Sequence, residues 1–221
     1  MTTLLIPPRI HQDAHRTELR YPADAIVVLA GIPGSGKSTL LRRLFPEPGA
    51  VQVLDSEPIR NRWKPVLRKI PYAVWRPALH LTHYARVLRA MRTSGPLVIH
   101  DCATKPLSRQ LIGRAAQLAG RPVHLLMLDV PVDVARLGQH QRDRVVRQGS
   151  METHSRRWPV LRELAVTDPG QVVPGATSAT ILTRAQADRL TRITFSREAD
   201  QAAGTRSDRA GDHQIAERLQ S

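Results

Sequence analysis

The sequence predicts an α/β fold: a three-layer sandwich whose parallel sheet of about five strands carries helices on both faces, with a helical lid. Three observations lead to it. Short apolar runs rich in β-branched residues recur along the chain, and each has the length of a strand buried on both faces. Segments with helical spacing separate those runs. Glycines and prolines mark the boundaries between them. Strands that alternate with helices imply parallel pairing through right-handed crossovers.

The first run, Ala25 to Ala30, reads as a central strand. The glycine-rich stretch Gly31 to Gly36 follows, then a helix from Lys37 to Phe45 with Leu40, Leu41 and Leu44 on one side, stopped by Pro46 and Pro48. Val51 to Asp55 is a short second strand, and residues 57–70 read as helical up to Pro71. A long helix is expected from about Pro77 to Arg92, with Leu81, Tyr84, Ala85 and Leu88 facing inward. Leu97 to Asp101 is the third strand, residues 106–119 a helix, and Val123 to Asp129 the fourth strand. Pro131 opens the next helix, as proline favours the first helical position. Ala179 to Leu182 is a fifth strand, followed by a short helix to about Thr191.

With 221 residues the chain fits one domain that buries a core without disulfides. Residues 1–24 read as an irregular or partly helical lead-in, 25–196 as the domain with a lid over about 139–158, and 197–221 as a flexible tail. The single cysteine, Cys102, excludes an internal disulfide framework and suits a reducing, cytoplasmic setting. No apolar run approaches the length of a membrane span, so no membrane partner is expected. The 33 basic and 19 acidic side chains leave a net charge of +14, which favours polyanionic partners such as nucleotides, nucleic acid or phosphorylated metabolites.

The most specific signal is Gly31-Ile32-Pro33-Gly34-Ser35-Gly36-Lys37-Ser38, followed by Thr39. It matches G-x-x-x-x-G-K-[ST] at every fixed position, between a buried strand and an amphipathic helix, as the motif requires. Glycines let consecutive amides turn inward and let the backbone approach phosphate closely. The helix start presents its positive end to an anion. Lys37 supplies a mobile charge for the β- and γ-phosphates, and the Ser38 hydroxyl is a hard oxygen ligand for Mg²⁺.

This loop, the Asp55-Ser56 pair after the second strand and Asp101 at the end of the third resemble the P-loop kinases, and within them the AAA-type ATP-binding, zeta-toxin and polynucleotide-kinase group. The likeness spans about residues 25–193. It implies ATP and Mg²⁺ as cofactors and a hydroxyl as phosphoryl acceptor. It gives Asp55 the role of base toward that hydroxyl, although Asp55 and Ser56 also suit the cap of the following helix, and both roles can hold at once. The apolar strand ending in Asp101 resembles a Walker B strand and implies a second Mg²⁺ ligand beside Ser38; a turn-forming aspartate is the alternative.

The resemblance also makes Gln139 to Arg147 the lid, with Arg142 and Arg144 reaching the triphosphate and Arg147 third. Arg60 and Arg62 are candidates to grip a substrate phosphate, though Arg60 lies farther from Asp55 than the family spacing; Arg109 is a further substrate-side candidate. Trp63 suits either base stacking or packing under its helix. His100 is expected on the face of the sheet opposite Asp101, as a packed histidine, and the pair His80 and His83 on the surface of its helix. His154, Arg157 and Trp158 form a small cluster after the lid, Asp129 reads as structural and Cys102 as a small buried residue.

Three activities fit these residues: an ATP-dependent kinase acting on a nucleic-acid end, nucleoside or small metabolite; an ATPase that couples hydrolysis to a conformational switch; and a nucleic-acid-binding module regulated by nucleotide. The 4% aromatic content weighs against the last, because stacking platforms need several exposed rings.

Overall fold

The computed structural model describes residues 9–13, 16–140 and 148–197. Its centre is β3 (Ile26–Ala30), every residue of which is buried. On one side β3 pairs in parallel with β5 (Leu97–His100), and β5 with β4 (Gln52–Leu54). On the other it pairs with β6 (Val123–Asp129), and β6 with β7 (Ala176–Thr183). The sheet order is therefore β4-β5-β3-β6-β7. The chain leaves β3 toward one edge and later returns to the other. Such a reversal opens a crevice at the carboxyl ends of the central strands, where parallel α/β sheets bind ligands.

Crossover helices cover both faces, as sequence periodicity predicts. They are α1 (Lys37–Leu44), α2 (Glu57–Val66), α3 (Tyr72–Met91), α4 (Pro106–Leu118), α5 (Val132–His140), α6 (Gln148–Thr167), α7 (Pro169–Val172) and α8 (Arg184–Arg189). One core cluster runs from β2 through the parallel sheet into α6 and β8. A smaller one, built on Ile59, Trp75 and Leu79, joins α2 to α3. Trp63 packs there, its ring 6.3 Å from that of Trp75, which supports the packing role for that side chain.

Two parts of the fold depart from the sequence expectation. Residues 9–22 are not an irregular or partly helical lead-in: β1 (Arg9–Asp13) and β2 (Arg16–Pro22) are strands. Together with β8 (Leu190–Ser196) they form a second sheet, in which β2 runs antiparallel to β1 and parallel to β8. The reason is a period-two pattern: Thr17, Leu19 and Tyr21 are buried while Glu18 and Arg20 between them are half-exposed. The other departure is the phase of α3. Trp75, Leu79, His83, Val87, Ala90 and Met91 are buried, whereas Leu81 is 74% exposed. The buried stripe follows i, i+4 steps and includes a histidine, so counting apolar residues alone set the face incorrectly. The 197–221 tail falls outside the described residues beyond position 197.

Helix α4 lies so close to the turn before β7 that a Cβ on Gly113 would stand 2.4 Å from the Pro174 carbonyl oxygen and 2.8 Å from its nitrogen. Neither backbone atom can rotate away. Alanine gains about 1 kcal/mol of helix propensity over glycine, and overpacking costs typically ~1–3 kcal/mol. Contacts this short place the balance on the unfavourable side. Gly113→Ala is expected to lower the thermal midpoint, by about 2–4 °C for each kcal/mol lost in a domain of this size. A raised midpoint in a melting experiment would refute the close approach.

Candidate functional site

The phosphate-binding loop connects β3 to α1. Gly34 and Gly36 take positive φ values of 91° and 97°, a region that side chains with a Cβ rarely enter. Gly36 is also the N-cap of α1 and, lacking a side chain, leaves the first-turn amides uncapped. The Lys37 side chain folds back over the loop with only 4% exposure. Its Nζ donates to the carbonyl oxygens of Gly31 at 2.7 Å and Ile32 at 3.0 Å. A buried ammonium needs such partners, since an isolated charge is strongly disfavoured in a low-dielectric interior. Ser35 and Ser38 are buried beside it. Together these residues form a compact set of donors and one cation, the chemistry that holds a polyphosphate.

A feature of the loop that its sequence motif does not announce is the helix on top of it. Gln139 of α5, buried to 5%, donates its side-chain amide to the Pro33 carbonyl at 2.9 Å. A Cβ on Gly34 would meet the Ala135 carbonyl oxygen at 2.0 Å, and a Cβ on Gly138 would lie 2.8 Å from the Gly34 oxygen. The glycines at 34 and 138 thus allow α5 to rest directly on the loop backbone. Arg184, placed by a Thr183–Gln186 capping box at the start of α8, approaches from another side, 2.7 Å from where a Gly36 Cβ would be.

Asp55 and Asp101 both stand at carboxyl ends of strands, in different surroundings. Asp55 Oδ1 accepts from the Glu57 amide at 2.9 Å, at the start of α2, so the capping role is present. His100 Nδ1 lies 2.7 Å from the same oxygen. His100 thus lies on the face opposite Asp101, as expected, but it contacts the Asp55 carboxylate and is not simply a packed histidine. The parallel register that pairs Leu54 with Ile99 puts Asp55 beside His100 on one face of the sheet. The contact is close but not aligned for directed N–H donation, and we treat it as a charge contact. Burial pushes the Asp55 carboxyl up, but His100 and the Glu57 amide outweigh it, and the group falls from its ordinary 3.8 to about 2.

Asp101 is 9% exposed and almost fully engaged. The Tyr84 hydroxyl donates to Oδ2 at 2.7 Å and the Ala103 amide to Oδ1 at 2.6 Å. The turn-forming role is therefore present here also. For a divalent cation, the hydroxyl of Ser38 and the carboxylate of Asp101 are hard oxygen donors of the type Mg²⁺ takes, and Mg²⁺ completes its shell with water and substrate phosphates rather than with a protein cage. Among the described residues there is no cluster of three or more His, Cys, Asp or Glu side chains, which excludes a cage of that type there.

Arg142, Arg144 and Arg147 lie outside the described residues. The helices flanking them, α5 and α6, sit against the loop and the 101–105 turn respectively. Asp129 accepts from Trp158 Nε1 at 2.9 Å and from Arg162 at 3.0 Å, tying α6 to the end of β6. Arg60 and Arg62 lie on α2. Cys102 is half-buried rather than buried, and desolvation pushes its thiol up, away from thiolate chemistry. His83 is not on the helix surface: it is 3% exposed, and neither ring nitrogen has a hydrogen-bond partner among the described residues. It interacts with Asp101, Asp55 and His100 across the crevice.

The residues of the crevice and the sheet order define a P-loop nucleotide-binding protein of the kinase-like type. The sequence profile of the AAA domain family matches residues 26–165, and the chain belongs to that family. No curated protein sequence matches the chain. Among solved structures it is similar to the PezAT chromosomal toxin–antitoxin system of Streptococcus pneumoniae, at 13% identity and a TM-score of 0.56 over 91% of this chain and 89% of that one. It is also similar to a protein of Chloroflexus aurantiacus provisionally assigned as a kinase, at 14% identity and a TM-score of 0.50 over 73% of this chain and 88% of that one. A gluconokinase from Sinorhizobium meliloti aligns at 15% identity and a TM-score of 0.48, over 77% of this chain and 89% of that one. No helix among the described residues is long and apolar enough to cross a membrane.

Two outcomes test this geometry. Gly138→Ala forces α5 away from the loop and is expected to weaken nucleotide binding about tenfold, roughly 1.4 kcal/mol. Unchanged affinity in a calorimetric titration would show that the helix does not brace the loop. The second concerns Asp55. Its folded-state pKa is depressed, so its stabilisation is fully present above the unfolded value near pH 4 and is lost as pH falls through about 2. The contribution is on the order of 2 kcal/mol. Urea unfolding from pH 5 downward is expected to show the stability difference between wild type and Asp55→Asn narrowing across that window; a pH-independent difference would contradict the depressed value.

Proposed function

We propose that the protein is an ATP-dependent phosphotransferase that moves the γ-phosphoryl group to a hydroxyl held near Asp55. The observation that carries this reading is the pairing of a phosphate-gripping loop with a second, separate ionised carboxylate in the same crevice. Asp55 lies at the end of β4, two strands away from the loop-bearing β3. A protein that only hydrolyses nucleotide has no need of a second carboxylate on that side.

In this mechanism the loop amides and Lys37 hold the β- and γ-phosphates, and the first turn of α1 presents its positive end to them. Ser38 and Asp101 are the residues that would hold Mg²⁺, which when bound offsets negative charge on the triphosphate. The acceptor oxygen bonds to the γ-phosphorus as the bond to the β-bridging oxygen breaks, and the hydroxyl proton passes to Asp55. A carboxylate with a pKa of about 2 is a weak base. Its main contribution is therefore to orient the hydroxyl and to receive the proton late, as the new bond forms. His100 favours the ionised form of Asp55, and the Glu57 amide fixes its direction. The arginines at 142 and 144 are proposed to close over the triphosphate and neutralise charge on the transferred group.

Product analysis with γ-labelled ATP tests the proposal. Label on a small alcohol, nucleoside or oligonucleotide is the expected result, and label in free phosphate alone, whatever acceptor is supplied, would favour the ATPase. Lys37→Ala is expected to reduce turnover by about 10²–10³ or more with the fold retained. Asp55→Asn should reduce transfer by about 10²–10⁴ while weakening nucleotide binding far less. Wild-type transfer by that variant would leave Asp55 with its capping role only.

A further inference from the structure

We propose that the acceptor is a small alcohol that already carries a phosphate group, and that this phosphate docks on a cationic rim around residues 101–105. The inference rests on the phosphotransferase reading and specifies its substrate class. The turn follows the central strand β5 and crosses the mouth of the crevice. It is strained: Ala103, fully buried, has φ of 55°, the one positive value among the described non-glycine residues. Two arginines hold it in that shape. Arg109 of α4 donates to the Ala103 carbonyl at 3.1 Å, and Arg157 of α6 donates to the Thr104 carbonyl at 3.1 Å. His154 Nδ1 lies 2.5 Å from the Thr104 hydroxyl. Lys105 is the next residue and is exposed. From α3, Arg76 joins the same rim, its Nε donating to His80 Nε2 at 3.4 Å.

The rim has an unbalanced charge. Arg76, Lys105, Arg109 and Arg157 form no ion pair with a carboxylate among the described residues, in contrast to Arg42, Arg162 and Arg184 elsewhere on the molecule. Of the two acids of the crevice, Asp101 acts on Arg109 and His80 but forms no ion pair with the rim among the described residues, and Asp55 contacts His100 and the Glu57 amide. Both histidines of the rim are lowered mainly by burial, and the cations add to it. Burial first, then Lys105 and Arg76 for both, with Lys37 and Arg157 also acting on His154, lower each to about 4. Cations gathered without carboxylate partners repel one another and favour an anion between them. Four of them match a compact phosphate dianion better than a single carboxylate, and guanidinium groups suit its oxygens.

The reacting end of the pocket carries a second sign of a ligand. His83 is 97% buried by its 3% exposure, and both of its ring nitrogens lack partners among the described residues. The charges of Asp101, Asp55, His100 and Arg86 all act on it. An unpartnered buried imidazole costs stability unless a ligand group completes it. A bound acceptor hydroxyl near Asp55 would do so, with its phosphate reaching outward to the rim. The cations are grouped around one turn and not arranged in a stripe, and the aromatic side chains of α2 and α3 pack on one another. Both features favour a small molecule over a nucleic-acid strand.

The test uses the full chain and matched acceptor pairs that differ only in a phosphate: nucleosides and their monophosphates, glycerol and glycerol 3-phosphate, glucose and glucose 6-phosphate, gluconate and 6-phosphogluconate, with a 5′-hydroxyl oligonucleotide as a further arm. Transfer from γ-labelled ATP is expected to favour the phosphorylated member of at least one pair by tenfold or more. Lys105→Glu and Arg157→Gln should raise its KM at least tenfold with a much smaller effect on kcat, and thermal melting confirms that both variants fold. In parallel, inorganic phosphate is titrated into protein saturated with a non-hydrolysable ATP analogue; binding that weakens at least tenfold in Lys105→Glu supports the rim directly. Preference for unphosphorylated alcohols, for plain carboxylates or for the oligonucleotide would overturn the proposal and leave the kinase standing. Phosphate binding at the rim without transfer to any acceptor would instead sink the kinase and leave the anion site. Variants that alter neither KM nor phosphate binding would refute the rim.

Discussion

Lys37 imposes the constraint from which the rest of the crevice follows. An ammonium that is 96% withdrawn from solvent, by its 4% exposure, demands carbonyl oxygens, and the only way to bring two of them is to wrap the preceding loop around it. That wrap needs the left-handed positions taken by Gly34 and Gly36. It turns the carbonyls of Gly31 and Ile32 inward toward the lysine and leaves the start of α1 uncapped. The cation, the curvature and the anion-binding helix end are thus one arrangement. Helix α5 completes it through Gln139, whose amide holds the Pro33 carbonyl on the far side of the loop.

The parallel register then decides which acids share the crevice. Because β4, β5 and β3 run side by side with their carboxyl ends level, Asp55, His100 and Asp101 stand at the same edge of the sheet as the loop that leaves β3. The pleat assigns them to faces: His100 goes with Asp55, and Asp101 turns toward Tyr84 of α3. Asp55 and Asp101 each have hydrogen-bond donors of their own. Their separate sets of donors let each stay ionised, and give one a fixed direction toward the acceptor side and the other a fixed place beside the turn.

Much of this was legible in the sequence for identifiable reasons. The central parallel strands are visible because strands buried on both faces are continuous apolar runs, and Ile26 to Ala30 and Val123 to Leu128 have little else in them. The loop was visible because its function fixes residue types at fixed spacing. Residues 17–21 carry a signal in the alternation of Thr17, Leu19 and Tyr21, but alternation marks a half-buried strand and is a weaker signal than a continuous apolar run. The surface position expected for His83 and the packing role expected for His100 fail for one shared reason. A polar residue on an apolar face is invisible to hydrophobic periodicity, and only the register and the crossing of α3 over the sheet show that both point at Asp55. The braces Gln139, Arg109 and Arg157 act on backbone carbonyls, which no side-chain pattern encodes.

The strained turn and the cationic rim have a common origin. A left-handed alanine is disfavoured by roughly 1–3 kcal/mol and persists only where surrounding contacts over-determine it. Here those contacts come from cations: Arg109 and Arg157 reach the turn from two helices and must bring their charges with them. Holding the backbone of 103 and 104 in place therefore concentrates positive potential at the mouth of the crevice, with Lys105 added by its position in the sequence. Charges fixed in this way by their own hydrogen bonds need little reorganisation to receive an anion. The same contacts keep Asp101 aligned through the Ala103 amide, so an anion drawn to the rim and the acid beside the phosphate loop are positioned by a single piece of backbone.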